Sequence, residues 1–113
     1  MSLIVCITAK GEGADAAVEP RFGRAPYFIF ADTEAGTFVS VRNELVDAAG
    51  GVGPRSAQVL VDHGATVLVT GQLGGNAATA LKAAGIKVYS FGDAATATQA
   101  LEKYTQGGLS EIL

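Results

Sequence analysis

A chain of 113 residues has enough length to bury a core without disulfides or a structural metal, and too little for a second domain, so it is read as one domain over 1–113. Its apolar share of 49% and mean hydropathy of +0.32 exclude a disordered chain and describe a packed globule rich in Ala, Val and Gly. The net charge of −3, with no Lys/Arg-rich run, argues against nucleic acid as a partner.

The apolar run Leu3-Ile4-Val5-Cys6-Ile7 is too short for a signal-peptide core or a membrane span, and no basic segment precedes it. The sequence therefore predicts a protein of the cytoplasm with no membrane contact. A single cysteine fits a reducing compartment. The run is continuous rather than alternating, which predicts a central strand buried on both faces, with Thr8 as its exit. Ala9 to Arg24 then forms a loop long for so small a domain, glycine-bearing and without a clear period, and long loops of this kind are often functional.

Within that loop the stretch Glu19 to Phe30 carries the most specific chemistry. Arg21 and Arg24 bracket Phe22 and Gly23, and a guanidinium is a permanent planar donor suited to anions. Gly23 is expected to let the backbone turn close to a ligand. Pro26 suits the start of a strand from Tyr27 to Ala31. The turn Asp32 to Gly36 and a partly exposed strand, Thr37 to Val41, complete an antiparallel meander.

The glycine segment Gly50-Gly51-Val52-Gly53 leads into Pro54, the expected first residue of a helix to His63 with Ala57, Leu60 and Val61 inside and Gly64 as its stop. The pattern then repeats as strand, glycine turn and helix. Thr66 to Thr70 is a buried strand, Gly71-Gln72-Leu73-Gly74-Gly75 its turn, and Asn76 the expected N-cap of a helix over Ala77 to Ala84. Ile86 to Ser90 is the fifth strand, and Asp93 is expected to cap a final helix whose inner face holds Ala94, Ala97, Leu101 and Tyr104. These elements predict a three-layer α/β/α sandwich on a mixed five-stranded sheet.

Most conventional chemistry is unsupported. His63 has no Cys or His partner at metal-ligand spacing and suits a helix C-terminus. Nothing couples Ser56, Ser90 or Cys6 to His63 in a hydrolase motif, and a central strand without an acid speaks against a two-metal nuclease. Cys6 is first a small buried hydrophobe; it serves as a soft metal ligand only if its thiol points toward the carboxyl end of its strand. The glycine turns at Gly50, Gly51 and Gly53 and at Gly71, Gly74 and Gly75 each precede a helix, so their N–H groups can receive an anion beside the arginine loop.

The stretch Arg21-Phe22-Gly23-Arg24-Ala25-Pro26-Tyr27-Phe28, the segment Gly50 to Pro54, the Val69-Thr70-Gly71 turn with Asn76, and Ala80 to Tyr89 together resemble the dinitrogenase iron-molybdenum cofactor biosynthesis family. The resemblance implies a ribonuclease H-like sandwich and an activity of binding rather than catalysis, in which an anionic iron-sulfur cofactor or iron-molybdenum cofactor precursor is held and passed on to cofactor-assembly proteins. Many members of that family have His where this chain has Arg21, which can neutralise charge but cannot coordinate iron. A metal-free module for a small anion, such as a nucleotide or carboxylate, is the alternative.

Overall fold

The central strand β1 (Ile4–Ala9) is buried at every position from Val5 onward, as its unbroken apolar run requires. The computed structural model describes residues 3–44 and 52–113. Beside β1 lie β2 (Tyr27–Asp32), β3 (Thr37–Arg42), β4 (Val67–Thr70), β5 (Lys87–Ser90) and β6 (Ser110–Glu111), in one six-stranded sheet of order β3-β2-β1-β4-β5-β6. Strands β1, β4 and β5 are parallel, whereas β2, β3 and β6 join as antiparallel neighbours. Register places Cys6 opposite Phe30 on one side and Leu68 on the other.

Three helices complete the layers: α1 (Val52–Asp62), α2 (Gly75–Ala83) and α3 (Ala97–Thr105). Alternate residues of β1 feed two cores. Cys6 joins Phe28, Phe30, Leu68 and Val88 under Leu60 of α1 and Leu81 of α2. Val5 and Ile7 join Ile29, Val67 and Val69 under Ala97 and Ala100 of α3. The α/β class and the sandwich with a mixed sheet thus stand as expected.

Several local expectations are corrected. The sheet has six strands instead of five, because the tail after Gly108 returns as β6 and its Ile112 N–H donates to Val88 O at 2.8 Å, covering the edge of β5. Thr8 lies inside β1, wholly buried, rather than at its exit. Helix α1 begins before Pro54 and takes in Gly53; Val61 is 45% exposed while Ser56 is fully buried. Gly74, not Asn76, stands at the N-cap of α2, and Thr96, not Asp93, caps α3 by accepting from the Gln99 N–H. Asp93 instead pairs with Lys103 at 2.9 Å, which holds its carboxyl below the usual range. Gly50 and Gly51 lie outside the described residues.

Among the described residues α3 is the only helix on its face of the sheet, and the segment from Lys10 to Val18 covers the half it leaves bare. Val18 is buried there with Ile29, and Ala16 and Phe38 pack against the same cluster. The segment is sewn down at both sides. Gly13 N–H donates to Ser40 Oγ on β3 at 2.8 Å, while Ala97 and Thr98 of α3 donate to the carbonyls of Ala16 and Ala14, both at 2.9 Å. Most of the long loop is therefore a cover for the core, leaving the functional part to the residues after Val18.

Candidate functional site

The residues after Val18 are fixed by a polar knot at the carboxyl ends of β1 and β4. Thr8 and Thr70 are fully buried, and their hydroxyls meet at 2.8 Å. Thr8 donates to Glu19 O at 2.6 Å. Pro20 O accepts from the backbone N–H groups of Gly71 (3.1 Å) and Gln72 (2.6 Å), and Phe22 N–H donates to Gln72 O at 3.3 Å, so Arg21 and Gln72 lie side by side in a parallel bridge. Two turns remote in sequence are thereby fused into one rim. Buried hydroxyls in otherwise apolar strands need such partners, because an unmet polar group there costs about 1–3 kcal/mol.

Glu19 contributes a nearly buried carboxylate that sequence reasoning missed. Its Oε2 accepts the Arg21 N–H at 3.1 Å and lies 3.7 Å from Arg21 Nε. The Arg21 side chain nevertheless remains 66% exposed, facing solvent at the rim. The signal available in sequence was an acid two residues before the first arginine, next to proline.

The other loop residues divide by role. Phe22 to Arg24 forms one turn of 3-10 helix, in which Phe22 is 2% exposed with its ring 5.6 Å from that of Phe28. Phe22 is thus a core plug and presents no face to a ligand. Gly23 has no positive φ, so its backbone needs no glycine for the turn expected there. Asn43 Nδ2 donates to Ala25 O at 2.8 Å and anchors the end of this turn. Arg24 is exposed in the turn's last position.

The second glycine turn is similarly split. A Cβ on Gly71 would stand 2.8 Å from Pro20 Cα and Pro20 O, so this glycine serves close backbone packing and its N–H is already used. Gly74 and Gly75 face open space, with nothing within 4 Å of the point where a Cβ would stand. The N–H groups of Gly75, Asn76 and Ala77 open α2, with no side-chain cap and no acceptor among the described residues. Unmet N–H groups at the start of a helix carry partial positive charge. The bridge therefore joins Arg21 to the turn that carries Gly74 and leads to Gly75 and Asn76; Gly53 lies in α1, the helix against which the 3-10 turn packs.

Cys6 does not reach this rim. It is fully buried between Phe30 and Leu68 in the core beneath α1 and α2, and burial pushes its thiol well above the ordinary range. A thiol kept protonated in an apolar core is a packing group, the first of the two roles the sequence offered for it. Among the described residues no three His, Cys, Asp or Glu side chains converge to hold a metal ion. His63 ends α1 with Nδ1 2.9 Å from Val59 O and its ring stacked on Phe30 at 4.6 Å.

The three-layer α/β/α fold is an open-sheet α/β domain, a class in which ligands bind outside the carboxyl ends of the parallel strands, the end at which this rim lies. The chain belongs to the dinitrogenase iron-molybdenum cofactor family, whose pattern matches residues 1–107. It is 38% identical to the orange protein of Desulfovibrio gigas, solved in its apo form, with a TM-score of 0.92, covering 98% of this chain and 93% of that one. It is 40% identical to a putative NifB protein from Thermotoga, with a TM-score of 0.86 and coverage of 97% and 93%. A putative dinitrogenase from Methanocaldococcus jannaschii shares the fold at 13% identity, with a TM-score of 0.69 over 99% of this chain and 96% of that one. A comparison with curated proteins returned no match. Among the described residues no helix is long and apolar enough to cross a membrane.

Proposed function

We propose that this chain is a non-catalytic cytoplasmic carrier that binds an anionic iron-sulfur cofactor, or a precursor of the iron-molybdenum cofactor, at the rim made by Arg21 and the start of α2, and passes it to cofactor-assembly proteins. The carrying observation is the bridge between Arg21 and Gln72, which joins the loop bearing an exposed guanidinium to the turn that leads into α2, where the N–H groups of Gly75, Asn76 and Ala77 have no acceptor among the described residues. Family membership supports the cargo's class. With Cys6 buried and no convergent ligand set among the described residues, the cargo is held by charge and N–H donors to its outer sulfur or oxygen atoms. Arg24 stands on the same turn and adds a second positive charge.

Anaerobic incubation with an isolated iron-sulfur cofactor precursor, followed by desalting, absorption spectroscopy and metal analysis, tests this reading. Wild type retains iron, and Arg21→Gln retains several-fold less. Absence of retained iron in wild type refutes it. The presence of Arg21 at a position where the family often has His favours a second reading, a metal-free site for a nucleotide or carboxylate. A thermal-shift panel separates the two, since a ligand that binds only the folded chain raises its melting temperature.

A further inference from the structure

Among the described residues strand β3 lies at the edge of the sheet and pairs only with β2. Asn43 N–H donates to Pro26 O at 2.8 Å, which sets the alternation of the antiparallel ladder. By that alternation Thr37, Val39 and Val41 bond toward β2, while the N–H and C=O groups of Phe38, Ser40 and Arg42 turn outward. No backbone group among the described residues meets them. Natural edges are usually guarded by lysine, proline, a bulge or a very short strand. Over its six residues β3 shows none of these, and Val39 is 55% exposed.

Alongside this edge runs a groove of roughly 500 Å³ between β3 and α1. Phe28, Val41 and Val59 give it an apolar lining, and Arg42, Arg55 and His63 line it with cationic or titratable groups against the single carboxylate of Glu44. Arg55 is exposed and has no acidic partner among the described residues. An open strand edge beside a helix, with a groove between them, is the arrangement in which extended peptides add to a sheet: main-chain bonds supply affinity and the groove selects side chains.

We propose that the outer edge of β3 and the groove between β3 and α1 form a docking surface for an extended, acidic peptide segment of a partner protein, which adds to the sheet as a further strand. Its backbone pairs with Phe38, Ser40 and Arg42. Apolar side chains at alternate positions cover Val39 and Val41, and an acidic residue meets Arg55. The chain carries a net charge of −3, so this local excess of guanidinium groups selects an acidic partner against the field of the whole molecule. Arg21 does not line the groove, and the inference stands whether or not the rim holds a cluster.

The test is an NMR titration of the isotope-labelled full chain with the acetylated, amidated peptide Glu-Val-Thr-Val-Thr-Val-Glu and two analogues N-methylated at alternate residues. The amides of Phe38, Ser40 and Arg42 are expected to shift saturably and to exchange more slowly. One analogue binds like the parent and the other at least ~10-fold more weakly, because only one set of peptide N–H groups faces the edge. Arg55→Glu weakens binding at least ~10-fold, whereas Arg21→Gln leaves it unchanged. Equal binding by both analogues, no saturable shift at those amides, or an undiminished affinity in Arg55→Glu overturns the proposal. So does sedimentation of the free chain as a dimer with those amides already protected, which would assign the edge to a second copy.

Discussion

Replacing Gly71 by alanine adds one methyl group, and the surroundings determine the outcome. The new Cβ would lie 2.8 Å from both Pro20 Cα and Pro20 O, so the backbone must part by about 0.6 Å to reach an ordinary 3.4 Å contact. Its φ is not positive, so alanine meets no backbone penalty there and the clash alone sets the cost. That movement stretches the bonds from Gly71 and Gln72 N–H to Pro20 O, now 3.1 and 2.6 Å. Overpacking of this kind costs about 1–3 kcal/mol, and weakening the two bonds brings the expected loss to about 2–4 kcal/mol. For a domain of this size the melting temperature falls by roughly 8–16 °C. Gly74→Ala is the control, since nothing lies within 4 Å of its Cβ and its φ of −74° suits alanine. It is expected to change stability by less than about 1 kcal/mol, because the poorer N-cap that alanine makes offsets the reduced freedom of the unfolded chain. Urea unfolding measures both, and hydrogen exchange at Phe22 and Gln72 reports whether the rim has opened. Equal stability of the two variants, or unchanged exchange at those amides in Gly71→Ala, refutes the clamp.

Thr8→Val and Thr70→Val each lose about 1–3 kcal/mol in urea unfolding, and the double variant loses less than the sum because both hydroxyls belong to one knot. Cys6 is expected to resist Ellman's reagent until the chain unfolds, so its labelling rate should follow urea concentration in step with unfolding; fast labelling of the native chain would place the thiol outside the core. The Tyr27 phenol donates to Glu12 Oε1 at 3.1 Å, and that bond, with the negative charge of Glu12, holds its pKa above the ordinary value of 10.0. Its small contribution to stability is complete below the unfolded-state value and disappears as pH rises through the higher folded-state value. Ultraviolet titration of wild type against Tyr27→Phe and Glu12→Gln checks the direction, and Glu12→Gln should bring the value back toward the ordinary one.

The frame was legible because burial leaves a period in the sequence. The unbroken run from Leu3 to Ile7 announced a two-sided strand, and the strand, glycine and helix rhythm after Thr66 announced parallel pairing. The sixth strand was illegible because two residues carry no period, and it exists only through pairing with β5. Caps failed for a related reason: Asn76 and Asp93 have the right side chains, but the caps stand two residues before the one and three after the other, at Gly74 and Thr96. At the site, the bridge joins Arg21 to the turn that leads to Gly74, Gly75 and Asn76, whereas the burial of Phe22 depends on meeting Phe28, which no local pattern reveals. The Thr8–Thr70 knot joins residues 62 apart, and no local pattern encodes such a contact.

The cover formed by Lys10 to Val18 also sets an order of events during synthesis. Its fastening to α3 includes the Thr98 hydroxyl donating to Ala14 O across a separation of 84 residues. Strands β1 to β3 can pair as soon as they leave the ribosome, yet the α3 face of that meander, with Val5, Ile7 and Ile29, has no lasting cover until nearly the whole chain is made. Local pairing comes early and the distant fastening comes late, since loop closure must precede its reward. A nascent chain halted after β5 would display five of the six strands with one raw apolar side, the state in which this small protein most needs protection from aggregation.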